Sequence, residues 1–211
     1  MRCEDIMIAQ SSSFDPYSNE SRYGLDYAVF LLHQHRPSSV ALYGSDTEAI
    51  KAAARRLHGW IDTLFVESDT VAVLLATELG LDAQVYNRNA AVDAALVLFP
   101  ISLDCEVPQA KTIVTIDKNR YSYTSFRRTS TIEHSVLEIY RWLGPHYRLR
   151  RGAGLFSIPC LLALMIAQLL GRRHSKYFFA WEQQAIDRII ETGPLWWLGS
   201  LVIISGELRS Y

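Results

Sequence analysis

The sequence predicts an α/β fold: a mostly parallel, twisted sheet with helices on both faces. Three observations predict it. Strand-like and helix-like segments alternate through residue 117 at roughly 20–25 residues per unit, the rhythm of parallel strands joined by right-handed crossovers. One segment, DAALVLFPISL, is apolar almost throughout, as expected of a central strand covered on both faces. The chain has 211 residues, is 49% hydrophobic and 20% charged, and so suits one globular domain rather than a disordered chain or coiled coil.

The elements follow in order. Residues 1–22 are polar and read as a loose arm, leaving 23–211 as a single α/β domain. GLDYAVFLLHQH, residues 24–35, has apolar residues at helical spacing and is followed by Pro37. SSVALYG is a short buried strand, and EAIKAAARRLHG is an Ala-rich helix ended by Gly59. DTLFVES is a second strand. DTVAVLLATELG is a helix closed by Gly80, with Ser68 or Asp69 as its cap. DAQVYN, DAALVLFPISL and AKTIVTID supply three more strands.

Beyond Tyr121 the pattern changes. SVLEIYRWLG is helical and HYRLRRG is a short strand. IPCLLALMIAQLLGRR and YFFAWEQQAIDRIIETG are two further helices, and LWWLGSLVIISGEL is a closing strand. The apolar run over residues 155–170 is about 16 residues, short of the ~20 needed to span a bilayer. It reads as a buried helix or dimer contact, or as an interfacial helix with arginines snorkelling from residues 150–173 to a membrane surface.

Charge is uneven. Residues 1–117 carry 8 Lys and Arg against 16 Asp and Glu, while residues 118–211 carry 13 against 6. Arg127-Arg128, Arg148 to Arg151 and Arg172-Arg173 form basic runs. Such runs suit an anionic partner, with a small substrate or lipid surface preferred here to nucleic acid, or a solvated face pairing with the acidic half. The three cysteines, Cys3, Cys105 and Cys160, form no CxxC pair, which argues against a disulfide framework or a zinc site. The N-terminal residues lack the apolar core of a signal peptide. A cytoplasmic location is expected, peripheral to the inner membrane face in the interfacial-helix reading of residues 150–173.

The layout resembles the class I S-adenosylmethionine-dependent methyltransferases, which use a Rossmann-like sheet. The resemblance covers residues 25–208. A helix ending in HQHRPSSV precedes the first strand. GPLWWLGSLVIISGEL resembles the family's antiparallel last strand. The segment before it, about residues 152–192, resembles the helical insertion that builds a substrate lid or interface.

The resemblance implies S-adenosylmethionine as cofactor and places its site residue by residue. The glycine-rich motif would lie on VALYGSDTE, where Gly44 matches the first glycine. The acidic position falls on Leu42, and later glycines fall on Asp46 and Glu48. The motif is therefore degenerate, since glycines there let backbone N–H groups approach the ligand. Gly44, Ser45 and Asp46 form the cofactor turn in this reading. Read locally, Ser45-Asp46-Thr47-Glu48 fits S-x-x-E, a capping box in which Ser45 caps the N–H at Glu48 and the Glu48 side chain reaches back.

Glu67, with Ser68 beside it, would meet the ribose hydroxyls. It is equally an acidic residue suited to a helix N-terminus. Asn87 and Asn89 would lie near the adenine, or simply form a turn. Pro100, Ser102 and Asp104 would rim the reaction centre, with Pro100 touching the cofactor. Tyr121, Tyr123, Phe126 and Arg127 would sit over the cleft as substrate-binding groups or a packing cluster. No general-base pair is visible, but methyl transfer can proceed by positioning alone.

His33 and His35 sit at i and i+2 of a helix and do not share a face, so they make no metal site. His134 and His146 read as surface histidines or acid/base groups. Trp181, Trp196 and Trp197 read as core or interface aromatics.

The functional expectation is a methyltransferase-like protein acting on a small-molecule or lipid-linked acceptor, as a homodimer or with a partner protein. The alternatives are a degenerate, non-catalytic relative supporting a partner enzyme, and another nucleotide-binding α/β enzyme.

Overall fold

The computed structural model describes residues 19–87, 92–99, 101, 103–104, 106–120, 134–155, 196–199 and 201–209. The predicted helices at 158–173 and 177–193, and with them most of the lid segment, lie outside the described residues.

The strands are β1 (Ser39–Tyr43), β2 (Thr63–Val66), β3 (Gln84–Val85), β4 (Val92–Leu98), β5 (Ala110–Lys118), β6 (Tyr147–Leu155) and β7 (Leu201–Leu208). The helices are α1 (Asn19–Gln34), α2 (Thr47–Leu57), α3 (Asp69–Leu79) and α4 (Val136–Leu143), with a 3₁₀ turn at Trp196–Leu198. The strands form one sheet in the order β3-β2-β1-β4-β5-β7-β6. β7 alone runs antiparallel to its neighbours β5 and β6. The predicted fold class and the antiparallel last strand are both what forms.

Strand alternation divides the core. On one face α1, α2 and α3 pack against Leu42, Val66, Leu98, Val114, Ile116 and Ile203. On the other, α4 supplies Ile139 and Leu143 against Ala41, Ala95, Ile113, Val202 and Ile204. The alanines of α2 serve close packing: Ala49, Ala52, Ala53 and Ala54 are all buried.

Three boundaries differ from expectation. α1 begins at Asn19, inside the predicted arm, and runs through Gly24. A Cβ at Gly24 would lie 2.9 Å from Leu155 Cδ1 and 3.0 Å from both Ile116 and Leu201 Cδ1. This glycine lets the helix lie against β5, β6 and β7; it does not start the helix. β3 is only two residues long, because the edge strand pairs with β2 at Phe65 and Val66 alone. β6 continues to Leu155, with its register shifting between Leu149 and Arg151. Leu155 is therefore a strand residue and does not open the apolar helix.

Tyr147 ties the far end of the sheet together. Its buried hydroxyl donates to the carbonyl of Pro108 and accepts the Ala110 N–H at 3.0 Å. Part of the basic run is used within the fold. Arg150 pairs with Glu207 at 2.6 Å, and Arg151 donates to Gln34 Oε1 at 3.0 Å.

Candidate functional site

The parallel strands bring the carboxyl ends of β1, β2, β4 and β5 to one edge. β1 lies between β2 and β4, so the connections leaving it and arriving beside it run to opposite sides. A crevice outside the strand ends at such a switch point is where open α/β sheets hold ligands.

Gly44 and Glu67 meet at this point. β1 ends at Tyr43, and the Gly44 N–H donates to Glu67 Oε2 at 3.1 Å. Glu67 follows the last residue of β2 and remains exposed. Partial desolvation of its carboxylate among the strand ends raises its pKa, opposed in part by the Gly44 N–H. A Cβ at Gly44 would lie 3.1 Å from the Leu98 carbonyl oxygen and 3.2 Å from Leu98 Cβ. The close approach of β4 therefore accounts for this glycine.

The turn into α2 differs from the predicted capping box. Asp46, not Ser45, is the N-cap: its Oδ1 accepts from Glu48 N at 2.9 Å and Ala49 N at 3.2 Å. Asp46 is buried, and Ser45 is exposed. A carboxylate suits both the cap donors and the positive end of the helix dipole. The Glu48 side chain turns along the helix to Lys51 at 2.7 Å, and Lys51 also holds Glu78 at 2.6 Å. The same S-x-x-E pattern does form a capping box at α4, where Ser135 and Glu138 bond reciprocally.

Ser68 caps α3, accepting from Val71 N at 3.4 Å, and Gly80 closes the helix in the left-handed conformation with φ 64°. Asn87 is exposed just beyond β3, and Asp104 is exposed in the turn after β4. Asn89, Pro100, Ser102, Tyr121, Tyr123 and Arg127 lie outside the described residues.

Two features escape a linear reading. The first is an aromatic cluster on the sheet face beneath the switch point. Tyr43 and Phe65 pack edge-on against Tyr86, with ring centroids 5.5 and 6.3 Å away. Tyr86 donates to the Gln109 carbonyl at 3.3 Å. The Tyr43 hydroxyl is buried with no well-formed hydrogen bond to a described residue, and burial first, with the adjoining Tyr86 hydroxyl second, pushes its pKa far above the usual phenol range. Aromatics at the ends of successive strands were the available signal.

The second is a correction to His134. It is 7% exposed, not a surface residue, and its Nδ1 lies 2.7 Å from Oδ2 of the fully buried Asp117. Seventeen residues separate the two in sequence, so no local pattern reveals the pair. His146, by contrast, is exposed. Lys118, next to Asp117, places its ammonium 5.0 Å from the centre of the Phe99 ring.

Three solved structures share this architecture. The methyltransferase domain of bacterial CtHen1 matches with a TM-score of 0.54 and 11% identity, over 91% of this chain and 99% of that one. The N-methyltransferase NodS from Bradyrhizobium japonicum matches with a TM-score of 0.54 and 8% identity, over 92% and 99%. An S-adenosylmethionine-dependent methyltransferase from Clostridium acetobutylicum matches with a TM-score of 0.53 and 8% identity, over 90% and 92%. No family model matches the sequence, and none of the curated proteins does. The fold is that of the class I S-adenosylmethionine-dependent methyltransferases; at these identities the likeness is one of fold.

Proposed function

We propose that this chain is a methyltransferase-like protein that takes S-adenosylmethionine at the carboxyl ends of β1 and β2. In this reading Glu67 receives the ribose hydroxyls. The single observation that carries the reading is Glu67 itself, which the Gly44 N–H fixes at the switch point while the side chain stays open to solvent.

The described residues suit the nucleoside half of that cofactor better than its amino-acid half. A carboxylate is the usual partner of a ribose diol. An α-carboxylate, however, needs N–H donors or a cation. Here the Gly44 N–H is engaged by Glu67, and those of Glu48 and Ala49 by Asp46. When bound, S-adenosylmethionine supplies an electrophilic methyl group on a sulfonium. The chain's own part is then to position an acceptor along the ends of β4 and β5. We assign that rim to Pro100, Ser102, Asp104, Tyr121, Tyr123 and Arg127, and the adenine side to Asn87 and Asn89. The acceptor class that we propose is a small or lipid-linked molecule.

The Asp46 cap favours a second reading. A turn that satisfies its own helix end with a buried carboxylate is poorly suited to a second carboxylate, as expected of a non-catalytic relative that supports a partner.

Calorimetric titration with S-adenosylmethionine and S-adenosylhomocysteine separates the two. The first reading expects binding that Glu67→Ala weakens about 10- to 100-fold, the loss that accompanies a hydrogen bond to a charged group. No heat and no thermal shift at millimolar ligand would sink it and leave the second. Binding that survives Glu67→Ala unchanged would remove the ribose assignment.

A further inference from the structure

The carboxyl edge holds a buried ionisable pair outside the cofactor site proposed above. Asp117 is the penultimate residue of β5, one position past the pairing of Ile116 with Leu98, and so lies level with Phe99 at the crevice rim. Its Oδ1 accepts the Lys118 N–H at 2.9 Å, and its Oδ2 faces His134 Nδ1 at 2.7 Å.

The backbone of His134 is held as firmly as its ring. Its N–H donates to the Lys118 carbonyl at 3.3 Å, and its carbonyl accepts from Arg120 N at 3.1 Å. The next residue, Ser135, is the N-cap of α4. Both members of the pair are thus fixed in place by a strand, a bridge and a helix start.

A buried carboxylate is a costly way to fasten a loop, because its desolvation is repaid only by well-placed bonds. Two residues later a neutral amide fastens a neighbouring segment without any charge. Asn119 is buried and donates to the carbonyls of Trp197 and Gly199 at 2.6 and 2.8 Å. What the carboxylate adds is a choice of tautomer. An ionised Asp only accepts, so the proton of a neutral His134 ring resides on Nδ1 and the lone pair on Nε2. His134 Nε2 makes no hydrogen bond to a described residue. A base whose second nitrogen is oriented by a buried carboxylate is the arrangement by which imidazoles take protons.

We propose that Asp117 and His134 form a general-base pair at this rim, with Nε2 accepting the proton of an acceptor hydroxyl, thiol or amine. The acceptor's X–H bond breaks, an N–H bond forms at Nε2, and the electron pair stays on X. The resulting imidazolium is held by the Asp117 carboxylate. This rests on reading the carboxyl edge as a reaction crevice, and it gives His134, one of the acid/base candidates in the sequence, the carboxylate partner that the sequence did not reveal.

The test needs no cofactor, so its failure is distinct from a failure to bind S-adenosylmethionine. Long-range nitrogen–proton correlation spectra of the wild-type protein at pH 8 should show His134 as the Nδ1–H tautomer, with Nε2 unprotonated. Diethyl pyrocarbonate with mass-spectrometric mapping should acylate His134 in the wild type, and at least tenfold more slowly in Asp117→Asn. An Nε2–H tautomer would overturn the proposal. So would a wild-type His134 that stays unmodified while the exposed His58 and His146 react, because a ring serving only to fasten the loop has no reactive nitrogen at the rim. Both overturning results come from the wild type and stand even if Asp117→Asn fails to fold.

Discussion

Replacing Asp46 separates the cap from the charge in the turn between β1 and α2. Asp46→Ala removes the acceptor of two N–H groups, those of Glu48 at 2.9 Å and Ala49 at 3.2 Å. Loss of such a cap costs about 1–2 kcal/mol. For a domain of this size that is a fall in Tm of roughly 2–8 °C. Asp46→Asn keeps a good cap and loses only the charge–dipole contribution, about 0.3–1 kcal/mol. Ser45→Ala, at an exposed residue outside the cap, should stay within about 0.5 kcal/mol. Thermal and urea unfolding of the three variants gives the order directly. A Ser45→Ala loss equal to or larger than that of Asp46→Ala would refute the cap assignment and restore the capping box read from sequence. The series also bears on function. If the buried carboxylate is what disfavours the amino-acid half of a cofactor, Asp46→Asn should tighten S-adenosylmethionine binding while leaving the fold nearly unchanged.

Other residues give further expectations. Asp93 accepts from Lys111 Nζ at 2.6 Å and from the Ser38 hydroxyl and N–H at 2.7 and 3.1 Å, and Lys111 first and Ser38 second hold its carboxyl well below the usual range. Its contribution is therefore complete above the unfolded value of 3.8 and is lost as pH falls through the depressed folded value. Asp93→Asn should cost about 1–2 kcal/mol at pH 7 by urea unfolding, the gap closing in acid. Tyr147→Phe leaves the buried Ala110 N–H without its phenol acceptor and should cost about 1–3 kcal/mol, with faster amide exchange at Ala110. Burial pushes the Tyr147 phenol up to about 12, so that loss should not vary between pH 6 and 9. Glu67 has the opposite sign from Asp93: its raised folded pKa penalises the ionised form above that value, and the penalty fades as pH falls towards the unfolded value. Glu67→Gln should therefore be slightly more stable at pH 7, by less than about 1 kcal/mol because the side chain meets water, while binding a nucleoside less well.

What the sequence made legible was local. The apolar run of β4, the alternating helices and the left-handed Gly80 after α3 each depend on neighbours within a turn or a strand, and periodicity reads such neighbours well. The misplaced cap shows where that stops. Among the described residues S-x-x-E occurs at 45–48 and at 135–138, and of these the second becomes a capping box. At the first, Glu48 is drawn to Lys51, which Glu78 of α3 also holds, a competition set by tertiary structure. Gly24 looks like a helix start in the sequence because the residues that require it, Leu155 and Leu201, lie far along the chain. Asp117 and His134 escaped for the same reason: they meet only once β5 and the start of α4 are in place.

These particulars divide the carboxyl edge into two unlike ends. At β1 and β2, the N–H groups of Gly44, Glu48 and Ala49 are engaged by side chains of the protein, and a glycine that could have cradled a ligand is explained by Leu98. At β5 the protein buries a carboxylate and a histidine where an amide like Asn119 would have fastened the chain more simply. A chain drifting away from chemistry should lose costly ionisable pairs first, since replacing a buried ion pair with well-packed apolar residues is often neutral or stabilising. The presence of the Asp117–His134 pair therefore weighs towards a crevice that handles protons, whatever its β1 turn holds. Binding at Glu67 and reactivity at His134 are separate measurements. A chain that fails the first and passes the second would carry a reactive base on a methyltransferase fold that does not take the cofactor.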